Sequence, residues 1–295
     1  MSRLTQKARR VVSCCLRPLI RRAARAYIAG EHLSDALAVR ARLAEGGVST
    51  TIGYWDSEAE SAEQVTDAYL AALDPLSGSD DYLSIKVPAL RFLPERVAQV
   101  ARAAKDRRVR LHCDSHGIED TQKMQALIEL ILVEQAKVSY TLPGRWQRSL
   151  ADADWASERG LSVRVVKGQW TDPADPQRDM RAGFLEVIDR LSGRANHVAV
   201  ASHDLPLASE AIRRLQAAGT PCSLELLYGL PMRASLDWAM AHAIPARVYV
   251  AYGAAYLPYA LGRLKQNPRM AWWLLRDMLE SKRSAKSSAD LRSAL

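Results

Sequence analysis

The chain has 295 residues, 48% of them hydrophobic and 25% charged, a composition that excludes a disordered chain and suits one large domain or two small ones. Four cysteines in this length exclude a disulfide framework, and no run approaches about 18 uncharged apolar residues, so no membrane-spanning helix is expected. The net charge of +8 is local: residues 1–29 carry 8 of the 41 basic side chains and no acid, leaving 33 basic against 33 acidic residues elsewhere.

In chain order, the basic arm comes first. Val12, Leu16, Leu19, Ile20 and Ala24 recur near helical spacing, which predicts an amphipathic helix with solvated arginines or one that touches anionic lipid headgroups. No interleaving of basic and aromatic residues supports nucleic acid as a partner. A second helix is expected over 25–47, closed by Gly46-Gly47. From residue 45 a rhythm sets in: β-branched runs at 48–54, 82–87, 109–114, 136–142, 162–168, 197–203, 221–227 and 246–252. Between them lie helical patterns such as 94–105, 121–134, 150–160, 179–191, 207–218 and 235–243. A helix eight over 256–266, Pro268 and a further helix over 271–281 follow, and the last residues read as a frayed tail. The expected division is a basic arm and helix over 1–44, a barrel over 45–281 and a tail over 282–295.

Eight strands alternating with helices fit the α/β class, either as an open doubly wound sheet or a closed (β/α)8 barrel. The first strand lacks the G-x-G-x-x-G turn of a dinucleotide-binding open sheet, so a TIM-type barrel with an N-terminal helical extension and an extra C-terminal helix is the expected fold. In a barrel, chemistry belongs at the carboxyl ends of the strands. The residues there are Lys86, the run His112-Cys113-Asp114-Ser115-His116, Arg164, Lys167, Ser202-His203-Asp204, Glu225, Leu227, Tyr228, Tyr249 and Tyr252. Arg164 lies mid-strand between valines; if it points inward it needs an acceptor, either a cofactor or substrate anion or a carboxylate on a neighbouring strand. Lys86 raises the same question.

The run Val163-Arg164-Val165-Val166-Lys167-Gly168 resembles the fifth-strand motif of the proline dehydrogenases. The resemblance continues in Leu83-Ser84-Ile85-Lys86, Ala201-Ser202-His203-Asp204, Leu227-Tyr228-Gly229, Arg247-Val248-Tyr249-Val250 and Pro258-Tyr259-Ala260-Leu261-Gly262-Arg263-Leu264. It implies a flavoenzyme barrel that binds FAD noncovalently, oxidises proline or a proline-like cyclic amine to the imine by hydride transfer to flavin N5, and passes electrons to a quinone. It further implies that Arg164 lies against the flavin, that Lys167, Gly168, Gln169 and His203 line the cofactor, and that Lys86 and Asp114 form a polar floor. Leu227, Tyr249 and Tyr259 would wall in the substrate ring and Arg263 would clamp its carboxylate. No metal is called for. Location in the cytoplasm is expected from the cysteine usage and the missing signal pattern, with peripheral membrane contact through the arm.

The sequence departs from the family pattern at four places. Gly262 replaces the first of two adjacent arginines, Gln266 replaces a glutamate one turn later, and Pro143 aligns with a glutamine that reaches the flavin. Gln169-Trp170 stands where an aromatic pair is usual. Two alternatives stay open: a barrel that binds flavin or a small acid without turnover, and a metal-dependent barrel hydrolase using His112, Asp114 and His116 with His203.

Overall fold

A computed structural model describes residues 28–57, 59–134 and 136–253. The basic arm, helix eight, the last helix and the tail lie outside the described residues, as do Tyr259, Gly262, Arg263 and Gln266.

Helix α1 spans Leu33–Glu45. It begins later than its periodicity suggests because Asp35 Oδ2 accepts the His32 backbone N–H at 2.9 Å, a capping box that sets the first turn. Residues 28–30 instead run beside the end of the last strand, where the Ala29 N–H donates to the Ala251 carbonyl at 3.0 Å. The repeat then unfolds as β1 Ser49–Tyr54, α2 Ala62–Leu73, β2 Tyr82–Ile85, α3 Pro94–Asp106, β3 Arg110–Cys113 and α4 Thr121–Val133. It continues as β4 Val138–Pro143, α5 Ser149–Glu158, β5 Ser162–Val166, α6 Met180–Leu191, β6 His197–Ala201, α7 Leu205–Ala217, β7 Cys222–Leu227, α8 Arg233–Ala241 and β8 Ala246–Tyr252.

All eight strands are parallel and each pairs with its sequence neighbours. Strand β1 also pairs with β8 from Ser49↔Arg247 to Tyr54↔Tyr252, which closes the barrel. Strands β2, β5 and β6 end two residues before the apolar runs suggest. Val87-Pro88 starts a 3-10 turn, and Gly168 adopts φ +97°, a conformation no strand continues through.

Period-two alternation sorts every strand into two faces. Ile52, Leu83, Ile85, Leu111, Val163, Val165, Val198, Val200, Leu224, Leu226, Val248 and Val250 are buried against the helices. Each contributes about 1.5–3 kcal/mol through its burial, so the main apolar core is the layer between sheet and helices. The alternate positions turn into the lumen and are polar: Thr51, Ser84, His112, Thr141, Arg164 and Glu225. The lumen is therefore where chemistry is held.

Candidate active site at the barrel mouth

Arg164 points inward from β5, as alternation requires, and is 5% exposed. Its Nε donates to Glu225 Oε2 at 2.8 Å, Nη2 donates to Glu225 Oε1 and Nη1 donates to Asp114 Oδ1 at 2.9 Å. Thr51 Oγ1 donates to Glu225 Oε1 at 3.0 Å. Thr51, Arg164 and Glu225 come from β1, β5 and β7, while Asp114 directly follows β3. Alternate strands of such a barrel share layers in the lumen, which is why the partners of Arg164 sit two strands away rather than on an adjacent strand. Of the two expected kinds of acceptor, carboxylates of the chain itself take up these donors, from strands two away and not from an adjacent one.

Asp114 is the junction of the network. Its Oδ2 accepts from Ser84 Oγ at 2.7 Å and from Tyr249 Oη at 3.0 Å, and His112 Nε2 lies 3.3 Å from Oδ1. The tyrosine ring also lies 5.2 Å from the Arg164 guanidinium. An ideal Cβ on Gly53 would fall 2.2 Å from Tyr249 Oη, so β1 makes room for the hydroxyl by carrying no side chain there.

Burial acts against ionising Asp114, but the hydrogen bond from His112 and the charge of Arg164 outweigh it and hold the carboxyl well below its ordinary range. Glu225 behaves alike: burial raises its pKa, and the charge and hydrogen bonds of Arg164 bring it below the usual value. Burial, reinforced by Arg164, pushes His112 down, so its ring is neutral at pH 7. One arginine between two carboxylates leaves this cluster with a net charge of −1, counted from the ionisation directions just given.

Around this centre the rim residues divide. Lys86 Nζ sits 3.5 Å from Asp56 Oδ1 and 5.2 Å from the centre of the Trp55 ring, and burial lowers its pKa. Lys167 Nζ donates to Asp204 Oδ2 at 2.8 Å, and Arg181 binds the same oxygen. Gly168 packs tightly: a Cβ there would lie 2.9 Å from Arg145 Cβ and 3.1 Å from Pro143 Cβ. Leu227 is partly buried at the end of β7 and Tyr249 in the middle of β8, while Gln169 is exposed on the loop after β5. His203 is committed to the backbone: its Nε2 accepts the Leu227 N–H at 2.8 Å and its Nδ1 donates to the Pro231 carbonyl at 3.1 Å. This makes it a brace for the loop after β7.

The same geometry does not favour the metal alternative. His112 has Nδ1 2.7 Å from Ser139 Oγ and Nε2 2.7 Å from Thr141 Oγ1. Among the described residues no group of three or more His, Cys, Asp or Glu side chains is placed to hold a metal ion. His116 stands apart, its buried Nε2 having no hydrogen-bond partner.

Sequence reasoning placed Glu225 at a strand end and gave it no role. Counting back two positions from Leu227 puts it on the lumen face, where a carboxylate and Arg164 must meet. Ser84 and Thr51 carried no comparable signal, because small hydroxyl residues are common on any strand.

These features define a (β/α)8 barrel with a buried, charge-bearing site at the carboxyl ends of its strands. No protein-family model matches the chain. It is similar to proline dehydrogenase 1 of Bacillus subtilis (strain 168), with 24% identity over 277 residues covering 87% of this chain and 91% of that protein. It is likewise similar to proline dehydrogenase of Deinococcus radiodurans, with 23% identity covering 86% of this chain and 89% of that one. The resemblance read from the strand-end motifs is thus borne out at a remote level of identity. In fold it matches proline utilization A (PutA) from Bdellovibrio bacteriovorus, a structure of the protein inactivated by N-propargylglycine, with a TM-score of 0.71 and 18% identity over 82% of this chain. The chain spans about a third (32%) of that PutA chain.

Proposed function

We propose that the chain is an FAD-dependent oxidoreductase that oxidises proline, or a proline-like cyclic amine, to the cyclic imine. The observation that carries this reading is Arg164: a guanidinium fixed by Glu225 and Asp114 inside the mouth of a barrel whose sequence resembles proline dehydrogenases along most of its length.

The residues present suit a flavin nucleotide. On the side of β4 to β6, Arg145 has a buried Nε with no hydrogen-bond partner, and Lys167 and Arg181 share the single carboxylate of Asp204. That surplus of positive charge fits a ligand bearing phosphates. Bound there, the flavin would accept a hydride from the substrate carbon.

The rest is the work of the chain's own groups. Arg164, its charge offset by Glu225 and Asp114, would lie against the flavin as a fixed hydrogen-bond donor. Asp114, anionic throughout the neutral range, attracts the substrate ammonium and is oriented by Ser84 and Tyr249. Lys86 Nζ, 3.5 Å from Asp56, forms a polar floor with Asp114. Leu227 and the Tyr249 ring exclude water from the substrate ring. Transfer of electrons to a quinone, and contact of the basic arm with a membrane surface, extend the same reading.

The test is spectroscopic. The purified protein is expected to carry flavin absorbance, or to acquire it with added FAD, and to bleach under anaerobic conditions on addition of L-proline or a cyclic analogue. A colourless protein that FAD does not reconstitute refutes the cofactor. Flavin that stays oxidised with every cyclic amine refutes the reaction.

A further inference from the structure

At the opposite end of the lumen, below the Arg164 layer, lies a second polar cluster that the proposed chemistry does not use. Arg247 on β8 is 8% exposed; its Nη1 donates to the Thr50 carbonyl and its Nη2 to the Asp80 carbonyl, both at 2.7 Å. Arg110 on β3 reaches across to β5, where Nη1 donates to Ser162 Oγ at 2.7 Å. Both guanidiniums lie against the Tyr82 ring, at 3.6 Å for Arg247 and 5.2 Å for Arg110. Among the described residues neither forms an ion pair with a carboxylate, although the charge of Arg247 is felt by Glu225.

Arg247 is buried and Arg110 half-buried, and a cation withdrawn from water without a paired carboxylate is costly. Glu225 is the nearest candidate, as its Cα pairs with that of Arg247 in the β7–β8 register. Its oxygens, however, are engaged by Arg164 and Thr51. The remaining quadrant of the floor is formed by β6 and β7. There Ser223, two residues before Glu225 and so on the same lumen face, is 5% exposed, and its hydroxyl is buried without a hydrogen-bond partner. On β6, two residues before Ala199, the register partner of Ser223, His197 makes no side-chain hydrogen bond among the described residues. The charges of both Arg110 and Arg247 reach His197: burial first, then these two, hold it down at about 4, despite the opposing pull of Glu225.

We propose that the floor of the barrel is a binding site for a small inorganic monovalent anion of the halide class, held by Arg110 and Arg247 and by the hydroxyl of Ser223 and the ring N–H of His197. It is separate from the mouth, and its occupancy does not depend on the flavin reading. A halide is favoured over a polyatomic anion because two of the four groups, a hydroxyl and a neutral imidazole, offer one hydrogen each.

The probe is chloride itself. Thermal unfolding of the full chain is followed at constant ionic strength while sodium chloride replaces sodium gluconate, a bulky organic anion. Chloride is expected to raise the melting temperature saturably, as a ligand of the folded state does. Arg110→Gln should weaken the apparent chloride affinity by about tenfold or more, the effect of losing one charged donor. Ser223→Ala removes only an unpartnered hydroxyl, so it keeps the fold even if Arg110→Gln does not, and it should weaken the affinity by about threefold. In crystals grown with bromide, the anomalous signal should fall between Ser223, His197 and the two guanidiniums. Coincident chloride and gluconate curves, unchanged affinity in Ser223→Ala, or a floor without bromide would each overturn the proposal.

Discussion

Arg164 illustrates how far one side chain can be understood from neighbours on other strands. It is held by two carboxylates that are themselves buried, so its removal strands negative charge in the lumen. Arg164→Met is expected to destabilise the fold by about 3–5 kcal/mol, which a urea titration would register as a lower midpoint with an unchanged slope. Glu225→Gln keeps the shape of the side chain and one acceptor oxygen, so its loss should be smaller than that of Arg164→Met. An equal or larger loss would show that Glu225, and not the arginine, is the organising group. That Arg164 points inward was legible from the valines flanking it. The identity of its partners was not, because layers built from alternate strands join residues remote in sequence: Thr51, Asp114 and Glu225 are separated by turns, helices and three intervening strands.

At the scale of elements, what positions the site is the fit between strand ends. Strand β1 carries Gly53 two residues beyond Thr51, the register partner of Tyr249, and an ideal Cβ at Gly53 meets the tyrosine hydroxyl at 2.2 Å. Gly53→Ala is therefore expected to displace that hydroxyl from Asp114. Substrate affinity should fall about tenfold, the equivalent of one hydrogen bond to a charged group, while the melting temperature changes little. A variant that binds substrate as the parent does would remove Tyr249 from the site. The loops after β4 and β5 are fitted to each other in the same way. Gly144 and Arg145 donate their N–H groups to the Val166 and Lys167 carbonyls at 2.8 and 3.0 Å, which extends the ladder past the strands and brings Gly168 against Pro143 and Arg145. The apolar runs showed where strands lie but overran their carboxyl ends at β2, β5 and β6, since valine, lysine and histidine past the last paired residue look the same in sequence. Helix α2 escaped delimitation: its buried face rests on alanines, threonine and tyrosine as much as on long aliphatics, so its periodicity is faint.

For the whole molecule, the alternation of runs and helical patterns was enough to read eight units and a closed barrel, because few architectures accept that count. The electrostatic consequence of closure emerges only in three dimensions. The lumen holds Asp114, Glu225 and His197 in ionisation states displaced from those of the unfolded chain. All three have depressed values in the folded state. Each therefore adds stability that is complete above its unfolded value and disappears as pH falls toward its folded one. For His197 the window runs from about 6.5 down to about 4 and is worth on the order of 3 kcal/mol. For the two carboxylates it opens below about 4. Stability measured against pH should thus decline in two stages, with the first, to which the buried ring of His112 also contributes, made shallower in His197→Gln. A single decline confined to acid below pH 4 in the parent would contradict the burial of His197.

The seam between β1 and β8 has a bearing on how the protein is made. Thr51 and Tyr249 are partners there, separated by nearly the whole described chain, and contacts of such long range form late. A nascent polypeptide still on the ribosome before its eighth strand has emerged already contains Arg164, Asp114 and Glu225, yet has no cylinder to shield them. Until that last staple is set, the charges remain hydrated and the pocket does not exist. Vectorial synthesis therefore delivers a competent site in one late event, and truncated products that stop short of it should be inert and easily proteolysed.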